Sequence, residues 1–582
     1  MSTSLPLSWQ PCGHGADPAS DPVGCRGVHV PGHTVCLAHL TDTDRTSYLT
    51  GLTSGADIDH RGTPFTHDLL EGLLQALHDP SIGKPHLGRA LFVEAQFFGE
   101  AGFIGAQFSG DAWFVGAQFF GDARFSRAQF SRDARFVGAQ FSSRAMFVGA
   151  QFSGDARFNE AQFSANARFV EAQFSANAWF VGAQFSGDAG FDRAHFESAS
   201  DLGPLVCAGR IILSGAVFVL PVTLEIAAKE VVCERTRWES TATMRLRYAT
   251  VDLSHTVLTA PAAVITHTTP FIYAGRVVRE DLLTGPGMPP RNSDQVRVVS
   301  VQGVDAAYLV LTDADLTDCL FSGAFHLDQI RLEGHTTFAP VPTGWHRRRI
   351  WPVHWTGRRT LAEEHHWRAQ SASQPPPPSG HASSPRRWRP GPYHSDPDLI
   401  PDPVDIAALY RQLRKAFEDG KNEPGAADFY YGECEMRRHD LTGTPKGERR
   451  LLWAYWLLSG YGLRVSRALG WLAIAMLLTI TLLMGFGLPQ DSPKQEATGT
   501  VPPGGGKVTF EIDKDDPQNP TGDRFNSERF EKALNITLNS VVFRSSGQNL
   551  TTAGTYIEMA SRFLEPALLA LGVLAVRGRI KR

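Results

Sequence analysis

The feature that most constrains this chain is a triplet, Ala-x-Phe, that occurs twenty times between Ala90 and Phe196. The triplets begin alternately five and six residues apart and follow one another without a gap. On a helix, at about 100° per residue, these steps would scatter the Phe side chains around the axis. In an extended segment, Ala and Phe at positions i and i+2 share one face. The spacing therefore predicts very short strands separated by turns.

A chain that winds into stacked coils accommodates such strands. If each coil has four faces, twenty triplets make about five coils of about 22 residues, which span roughly 24 Å at the strand spacing of about 4.8 Å. Phe side chains would then stack on Phe, and Ala on Ala, along the axis. The Gly, Ser, Asp and Asn residues between the triplets favour the turns that this winding requires.

These triplets resemble the pentapeptide-repeat family, whose unit is Ala-(Asp/Asn)-(Leu/Phe)-x-x. The resemblance implies a mainly β fold, a right-handed quadrilateral β-helix. Alternate units depart from the pattern by one extra residue, as in Ala106–Asp111, which we interpret as a bulged corner. Some members mimic DNA with a strongly acidic surface and bind topoisomerase. Eleven acidic residues against eight arginines over 90–200 do not favour that role.

The composition of the chain changes along its length and suggests several segments. We assign 1–60 to a Cys/His segment, 61–89 to a helical lead-in, 90–200 to the solenoid and 201–344 to an irregular β continuation or cap. A basic Pro-rich linker over 345–403 and a helical hairpin over 404–440 follow. The C-terminal part consists of an interfacial segment and a first transmembrane helix over 449–488, an extracytoplasmic loop over 489–562, and a second transmembrane helix with a basic tail over 563–582.

Four residues near the start form a candidate metal site. Cys12, Cys25, Cys36 and His39 stand among glycines, and three thiols with one imidazole suit tetrahedral Zn²⁺. The alternative is a small loop-rich cap with free thiols. Three further imidazoles compete for the fourth position, those of His14, His29 and His33. Seven cysteines at irregular spacing, in a chain without a recognisable signal peptide, do not favour a disulfide framework.

The C-terminal region predicts a membrane anchor. Residues 468–488 carry no charge and are long enough to cross a bilayer. A second apolar run, 563–576, is shorter and contains Glu565 and Pro566. Arginines precede the first run, and Arg577, Arg579, Lys581 and Arg582 follow the second. Because basic flanks prefer the cytosolic side, we expect two spans, with 489–562 outside and the repeats in the cytosol.

The region before the spans reads as polar and extended. Residues 345–359 are basic and aromatic, and a Pro-rich stretch follows, which predicts a linker that is solvated, settles on lipid headgroups or contacts RNA. Within it, Glu363–Trp367 (EEHHW) clusters carboxylates and imidazoles, and its polar context predicts that it is solvated rather than catalytic. Residues 404–440 predict a helical hairpin. The order of these blocks resembles membrane-associated pentapeptide-repeat proteins of bacteria.

The sequence predicts a scaffold rather than an enzyme. It lacks a phosphate-binding loop and the HExxH, GxSxG and CxxC motifs. We expect membrane lipid and an unidentified protein as partners, and no nucleic acid, because the net charge is only −4. The alternative is a degenerate two-span channel or membrane sensor, with a re-entrant stretch over 530–550. That stretch lacks the TVGYG filter and carries Arg544. A homo-oligomer is left open.

Overall fold

The computed structural model describes residues 9–580 except 18–20, 199–200, 285–294, 349–350, 356, 376–384, 393–395, 491–494, 500–502, 509, 515–516, 518–521 and 546. Residues 1–8 of the predicted Cys/His segment lie outside the described residues, as do most of the Pro-rich stretch and the last two residues of the basic tail. The chain divides into two compact units, Met1–Lys421 and Asn422–Arg582.

The first unit is dominated by a β-solenoid of about 11 turns. Strands on each of four faces pair in parallel with the strand one coil further on. In the regular coils between Ala90 and Phe196 the register steps by 22 residues, so that Ala112 pairs with Ala134 and Gln118 with Gln140. Face 1 contains Ile58–Asp59, Ala90–Leu91, Ala112–Trp113, Ala134–Arg135, Ala156–Arg157 and Ala178–Trp179. Face 2 contains Pro64–Thr66, Gln96–Phe98, Gln118–Phe119, Gln140–Phe141, Gln162–Phe163 and Gln184–Phe185.

The other two faces repeat the same arrangement. Face 3 contains Ala101–Gly102, Ala123–Arg124, Ala145–Met146, Ala167–Arg168 and Ala189–Gly190. Face 4 contains Lys84–Leu87, which pairs antiparallel with His78–Asp79, and then Gln107–Phe108, Gln129–Phe130, Gln151–Phe152, Gln173–Phe174, His195–Phe196, Val217–Phe218, Arg237–Trp238 and Val257–Leu258. The predicted fold class is confirmed: short strands around four faces build a solenoid.

The core of the solenoid is a set of aromatic columns lined by alanine. On face 2, Phe119 stacks on Phe97 at 4.7 Å and on Phe141 at 4.8 Å between ring centroids, with the rings almost parallel. The triplet Phe residues are at most 3% exposed and the triplet Ala residues at most 2%. The spacing of the rings follows the strand spacing of the ladder, so backbone pairing and ring stacking reinforce one another.

The extra residue of alternate units lies in a bend at the corner of the coil. In the unit Ala106–Asp111 the bend falls at Ser109–Gly110. A Cβ on Gly110 would lie 2.6 Å from the backbone nitrogen of Arg89, one coil earlier. A side chain at Gly110 would therefore force these two corners apart.

The stack extends beyond the regular triplets in both directions. Ile58–Asp59 pairs with Ala90–Leu91, so it begins before the predicted helical lead-in. After Phe196 the strands lengthen into Asp201–Ile212 and Val222–Val232, which pair in parallel. The ladder then continues through Ala242–Arg247, Thr250–Asp252, Ala262–Thr266, Arg297–Ser300, Leu309–Thr312 and Arg331–Glu333. Two further pairs are antiparallel, Ile272–Tyr273 with Arg276–Val277 and Trp345–Arg348 with Trp351–His354.

Helices lie at both ends of the stack, and one short helix packs against the long strands Asp201–Ile212 and Val222–Val232. The α-helices of the first unit are α1 (Asp42–Thr50), α2 (His67–Ala76), α3 (Asp281–Thr284), α4 (Ala362–Ser371) and α5 (Pro403–Asp419). Thr66 caps α2 by accepting a hydrogen bond from the N–H of Leu69. The strands Ala339–Pro340 and Arg359–Thr360 pair antiparallel and lead into α4. Residues 358–371, predicted as linker, are therefore folded, and that part of the prediction is wrong.

The second unit is helical. Its helices are α6 (Glu423–His439), α7 (Lys446–Ser459), α8 (Val465–Leu482, continued as a π-helical turn over Leu483–Gly487), α9 (Ser527–Val541) and α10 (Thr552–Ile580). A short antiparallel pair, Gln495–Gly499 with Phe510–Lys514, lies between α8 and α9. The predicted hairpin over 404–440 corresponds to α5 in the first unit and α6 in the second, where α6 packs on α7.

Two helices of the second unit are long and apolar enough to cross a membrane, Val465–Gly487 and Thr552–Arg577. The first covers the predicted span over 468–488 except its last residue, Leu488. The second begins well before Phe563, because the helix takes in residues that we assigned to the external loop. The polar residues at the start of α10 hide this boundary in the sequence, since hydropathy rises only after them.

Candidate metal centre

The four predicted ligands come together at the N-terminal end of the first unit. Their ligand atoms, three Sγ atoms and one imidazole nitrogen, all lie within 4.8 Å of one another. Nδ1 of His39 lies 3.5 Å from Sγ of Cys12 and 3.4 Å from Sγ of Cys36. The cluster is partly to fully buried. The residues Cys12, Cys25, Cys36 and His39 could therefore hold a metal ion.

Two local elements position these ligands. A bridge between Pro11 and Val28 and hydrogen bonds from Cys12 N to Gly27 O and from Gly13 N to Cys25 O bring the first two cysteines face to face. Cys36 precedes a single 3₁₀ turn, Leu37–His39, in which the N–H of His39 donates to the carbonyl of Cys36. This turn returns the imidazole to the thiol three residues earlier.

The sulfur spacing fits a metal better than a disulfide. The Sγ atoms of Cys25 and Cys36 are 3.6 Å apart, whereas a disulfide requires about 2.05 Å. A tetrahedron with Zn–S bonds of about 2.3 Å has edges of roughly 3.8 Å. A thiol hydrogen bond from Cys36 lowers the pKa of Cys25, and the Gly27 N–H, 3.4 Å from the same sulfur, acts in the same direction. One thiolate is thus favoured before a cation arrives.

The sequence did not point to Gly27, which the geometry makes essential. A Cβ at this position would lie 2.5 Å from Cβ and 2.7 Å from Sγ of Cys36. Any side chain there would displace a ligand. Gly27 is the last residue of the sequence GCRG, two residues after Cys25. This spacing does not predict that Gly27 must lack a side chain, because the close contact is with Cys36.

The competing histidines take other positions. The ring of His14 stacks on that of His39, with centroids 4.1 Å apart, and Nε2 of His29 lies 3.2 Å from the carbonyl oxygen of Pro11. His33 is not among the four clustered residues. His14 therefore buttresses the ligand rather than replacing it.

The centre is attached to the first coil of the solenoid. Val28 N donates to the carbonyl of Arg61, and the guanidinium of Arg61 lies 5.0 Å from the ring centroid of Trp9. Beneath it, His60 and Thr63 are fully buried. The loop that carries the ligands thus covers the end of the parallel ladder, where unpaired strand edges would otherwise face solvent.

At the other end of the solenoid, Glu363–Trp367 behaves differently from the prediction. Glu363 and Glu364 are fully buried and His365 is 2% exposed, so the expectation that this cluster is solvated is wrong. Oε1 of Glu363 accepts hydrogen bonds from the N–H groups of Phe321, at 2.5 Å, and Ser322, at 3.0 Å. The carboxylate thereby caps backbone donors of the last coils.

The second carboxylate of this cluster sits in an ionic network. Glu364 accepts from Arg358 at 2.5 Å, from Nε of Arg368 at 2.7 Å and from the Tyr410 hydroxyl at 2.5 Å. Burial opposes ionisation, but the two guanidinium groups hold the pKa of Glu364 well below its usual range. Arg358 precedes α4, Arg368 lies one turn after Glu364 within α4, and Tyr410 comes from α5, so the sequence around the glutamates contains the two arginines but not the tyrosine.

The outer surface of face 1 carries a distinctive column. Trp113, Arg135, Arg157 and Trp179 occupy equivalent outward positions on successive coils, and we name them the face 1 stripe. Leu91, at the same position one coil earlier, is buried. The guanidinium of Arg135 lies 4.7 Å from the Trp113 ring centroid. The equivalent positions on face 2 hold glutamine in five coils: Gln96, Gln118, Gln140, Gln162 and Gln184.

The arginines of the stripe are paired with acidic neighbours. Arg135 contacts Asp133 at 3.1 Å, and Arg157 contacts Asp155 at 2.9 Å. The stripe is therefore amphipathic but close to neutral, with indole rings and guanidinium planes at a fixed spacing.

Comparison with known proteins bears on the regular coils. A sequence model of the pentapeptide repeats, described as nine copies, matches residues 86–129, 116–162 and 147–195. No curated protein and no solved structure matched the chain. The match to the repeat model therefore covers the same part of the first unit as the regular coils.

Proposed function

Since residues 86–195 are pentapeptide repeats of the pentapeptide-repeat family, we propose that the chain is a membrane-anchored scaffold that presents its solenoid to a protein partner at the cytosolic face. The observation that carries this proposal is the combination of a capped, in-register solenoid with a separate helical unit that contains two apolar helices of membrane-spanning length. A rigid surface next to a bilayer is suited to holding a partner there.

The regular ladder makes the solenoid a suitable docking surface. Backbone N–H groups of one coil donate to the next throughout, for example from Phe114 to the carbonyl of Arg135 at 2.7 Å and from Phe136 to that of Arg157 at 2.7 Å. Outward side chains therefore keep a fixed spacing. Because the solenoid backbone is already ordered, it loses little conformational entropy when a partner binds.

The face 1 stripe is the proposed contact surface. Tryptophan and arginine dominate the binding energy of many protein interfaces. Two guanidinium groups contact the Trp113 ring: that of Arg135 lies 4.7 Å from the ring centroid and that of Arg89 lies 5.2 Å from it. Because the arginines are paired with aspartates, the stripe favours a protein with polar and aromatic contacts over nucleic acid.

The second unit supports the anchor. Its first candidate span exposes Ile474, Leu477 and Leu478, at 55%, 63% and 57%, on one side of α8. Such a continuous apolar side is costly in water and favourable in a bilayer. Helix α7 adds exposed Leu451 and Trp453, which suit the lipid interface. With the basic flanks on the cytosolic side, both ends of the chain remain with the solenoid.

The metal centre fits a structural Zn²⁺ that completes the N-terminal cap. Four protein ligands leave no open coordination position in a tetrahedral site, which is typical of structural rather than catalytic zinc. In the scaffold it would hold the covering loop on the first coil.

Site-specific photo-crosslinking in cells tests the scaffold. A photoreactive amino acid at Trp179 is expected to trap one discrete protein partner, and the same residue at Gln162, on face 2, serves as the matched control. A Trp113→Ala change in the Trp179 probe chain should reduce the yield several-fold. Equal products from both positions, or none from Trp179, would refute a partner surface on face 1.

A second candidate function is a degenerate two-span channel or sensor. One observation favours it: α9, too short to cross a membrane, packs against both candidate spans, with Ala533 and Ile536 buried beside Leu483 and Met484. Arg529 fixes its first turn to the carbonyl oxygens of Met484 and Leu488. This is the arrangement expected of a re-entrant helix.

Ion flux into vesicles that contain the purified chain tests this alternative. A conducting unit is expected to form homo-oligomers and to pass a monovalent cation. Vesicles with confirmed incorporation that remain impermeable to every ion tested would eliminate it and leave the scaffold.

A further inference from the structure

The side chains of Thr479 in α8 and Glu565 in α10 meet between the two candidate spans. Thr479 Oγ1 donates to Oε1 of Glu565 at 2.9 Å. Glu565 is fully buried, and its Oε2 has no hydrogen-bond partner among the residues that the structure describes. The carboxyl lies near the middle of the candidate span Thr552–Arg577, the depth at which a bilayer is least polar.

Basic groups on the neighbouring helices are engaged elsewhere. On α10, the guanidinium of Arg562 donates to Glu558 at 2.7 Å. On α9, Arg529 donates to the carbonyl oxygens of Met484 and Leu488, and the other charged residues of α9 are exposed. Neither arginine neutralises Glu565 through a hydrogen bond.

The remaining packed helices carry their charges at a distance. Arg467 of α8 and Arg577 of α10 are each 12 residues from the pair, about 18 Å along a helix. Helix α7 has its charged residues in its first turns, over 446–450, and reaches the packed helices through Leu458 near its other end. In the part of the chain that the structure describes, none of these groups forms a hydrogen bond with Glu565, whose carboxyl is bonded by Thr479.

A backbone carbonyl in the turn before Glu565 lacks its usual helical partner. Pro566 has no N–H, so the carbonyl of Arg562, four residues earlier, loses its usual helical partner. Arg562 precedes Glu565 by three residues, so the two residues lie on the same side of α10. Carboxylate, hydroxyl and carbonyl oxygens are the groups that bind hard cations.

We propose that Glu565, Thr479 and the Arg562 carbonyl form a site for one small monovalent cation inside the membrane unit. The occupant is a proton on the carboxyl or an alkali-metal ion held by the three oxygens. A buried, unpaired carboxylate at this depth is costly, and either occupant removes that cost. The site rests on the membrane anchoring proposed above, because only the bilayer closes the outer side of the helices.

Labelling with dicyclohexylcarbodiimide tests the site, because this reagent modifies protonated carboxyl groups in apolar surroundings. The full chain is labelled in isolated membranes over a range of pH, with sodium, potassium or choline chloride, and Glu565 is read by mass spectrometry. Labelling that sodium or potassium suppresses several-fold relative to choline identifies an alkali-metal site. Labelling that declines only as the pH rises identifies a proton site.

Variants separate this result from a general carboxyl reaction. Glu565→Gln should abolish the label, Thr479→Val should shift its pH or cation dependence, and Glu558→Gln should leave it unchanged. A chain that stays in the membrane pellet while Glu565 is unlabelled under every condition overturns the site alone. A chain that is absent from the pellet overturns the anchoring and the site together.

Discussion

The rings of Phe147 and Phe169 lie one above the other, 4.9 Å apart and within 3° of parallel, and both are fully buried. Phe125 lies on the other side of Phe147 at 5.0 Å. Each ring in the column therefore belongs to two interfaces, one with each neighbouring coil. Loss of a ring should be felt beyond the coil that carries it.

Replacement of Phe147 by Ala should lower the free energy of unfolding by about 3–5 kcal/mol, as for other buried phenylalanines. Phe147→Asp should be worse, because it also buries a charge without a partner. Chemical denaturation of the purified chain measures both. Met146→Ala, on the outer side of the same strand, is the matched control and should change stability by less than about 1 kcal/mol. An unaltered unfolding curve for Phe147→Asp would contradict stacked coils.

The metal centre makes a prediction about composition and heat stability. We expect one Zn²⁺ per chain by elemental analysis, and a lower melting temperature after chelation, because binding to the folded form alone stabilises it. Cys36→Ser should lose the metal and reproduce the effect of the chelator.

Cys233→Ser is the control for this experiment, since that thiol is buried in the solenoid away from the cluster. Its zinc content should equal that of the unaltered chain. If the unaltered chain purified under reducing conditions binds no zinc, the cluster is a set of free thiols.

His365 should make the first unit sensitive to acid. Burial lowers the pKa of His365 to about 3, and the Arg389 guanidinium acts in the same direction. Its Nδ1 accepts a hydrogen bond from the Arg389 N–H at 3.3 Å, which protonation would break. Because unfolded histidine titrates near 6.5, the unfolded state takes up the proton first, and stability falls as the pH drops from about 6.5 towards about 3.

The expected slope from this residue is at most about 1.4 kcal/mol per pH unit. Urea unfolding at a series of pH values measures it. His365→Asn should be less stable near neutrality but should lose part of the acid-induced decline. A variant with the same pH slope as the unaltered chain would show that this imidazole is not the group responsible.

Glu364 is expected to be the most sensitive position of the C-terminal cap. Glu364→Gln leaves two buried guanidinium groups without their carboxylate, and breaking a buried ion pair in this way costs about 3–5 kcal/mol. Tyr410→Phe should cost less, about 1–3 kcal/mol, because it removes one hydroxyl that bonds Glu364 and the N–H of Leu361. Chemical denaturation again provides the measurement, and equal, small effects would contradict a buried network.

The sequence predicted the regular coils because their signal is local and repeated. Every Ala-x-Phe triplet specifies its own short strand, and twenty copies leave one geometry that buries them all. The proximity of Cys36 and His39 could be predicted for the same reason, since a turn of three residues brings them together. The C-terminal cap could not be predicted, because Glu364 meets Tyr410 and Glu363 meets the N–H of Phe321 only after distant elements have folded. Gly27 gave no signal for the same reason.

The start of α10 shows another limit. The residues from Thr552 are polar enough to read as loop, and their helical state depends on packing against α8 and α9. Hydropathy therefore located the apolar centre of the helix near Glu565 but not its beginning.

Alkaline extraction of membranes from cells that express the full chain tests the anchored solenoid most directly. The account predicts that the chain remains in the pellet, as a protein with two spanning helices does, and that a Leu477→Arg, Leu478→Arg double variant partly loses this retention, because both side chains are exposed on α8. Recovery of the unaltered chain in the supernatant would contradict the anchor and with it the proposed scaffold at the membrane.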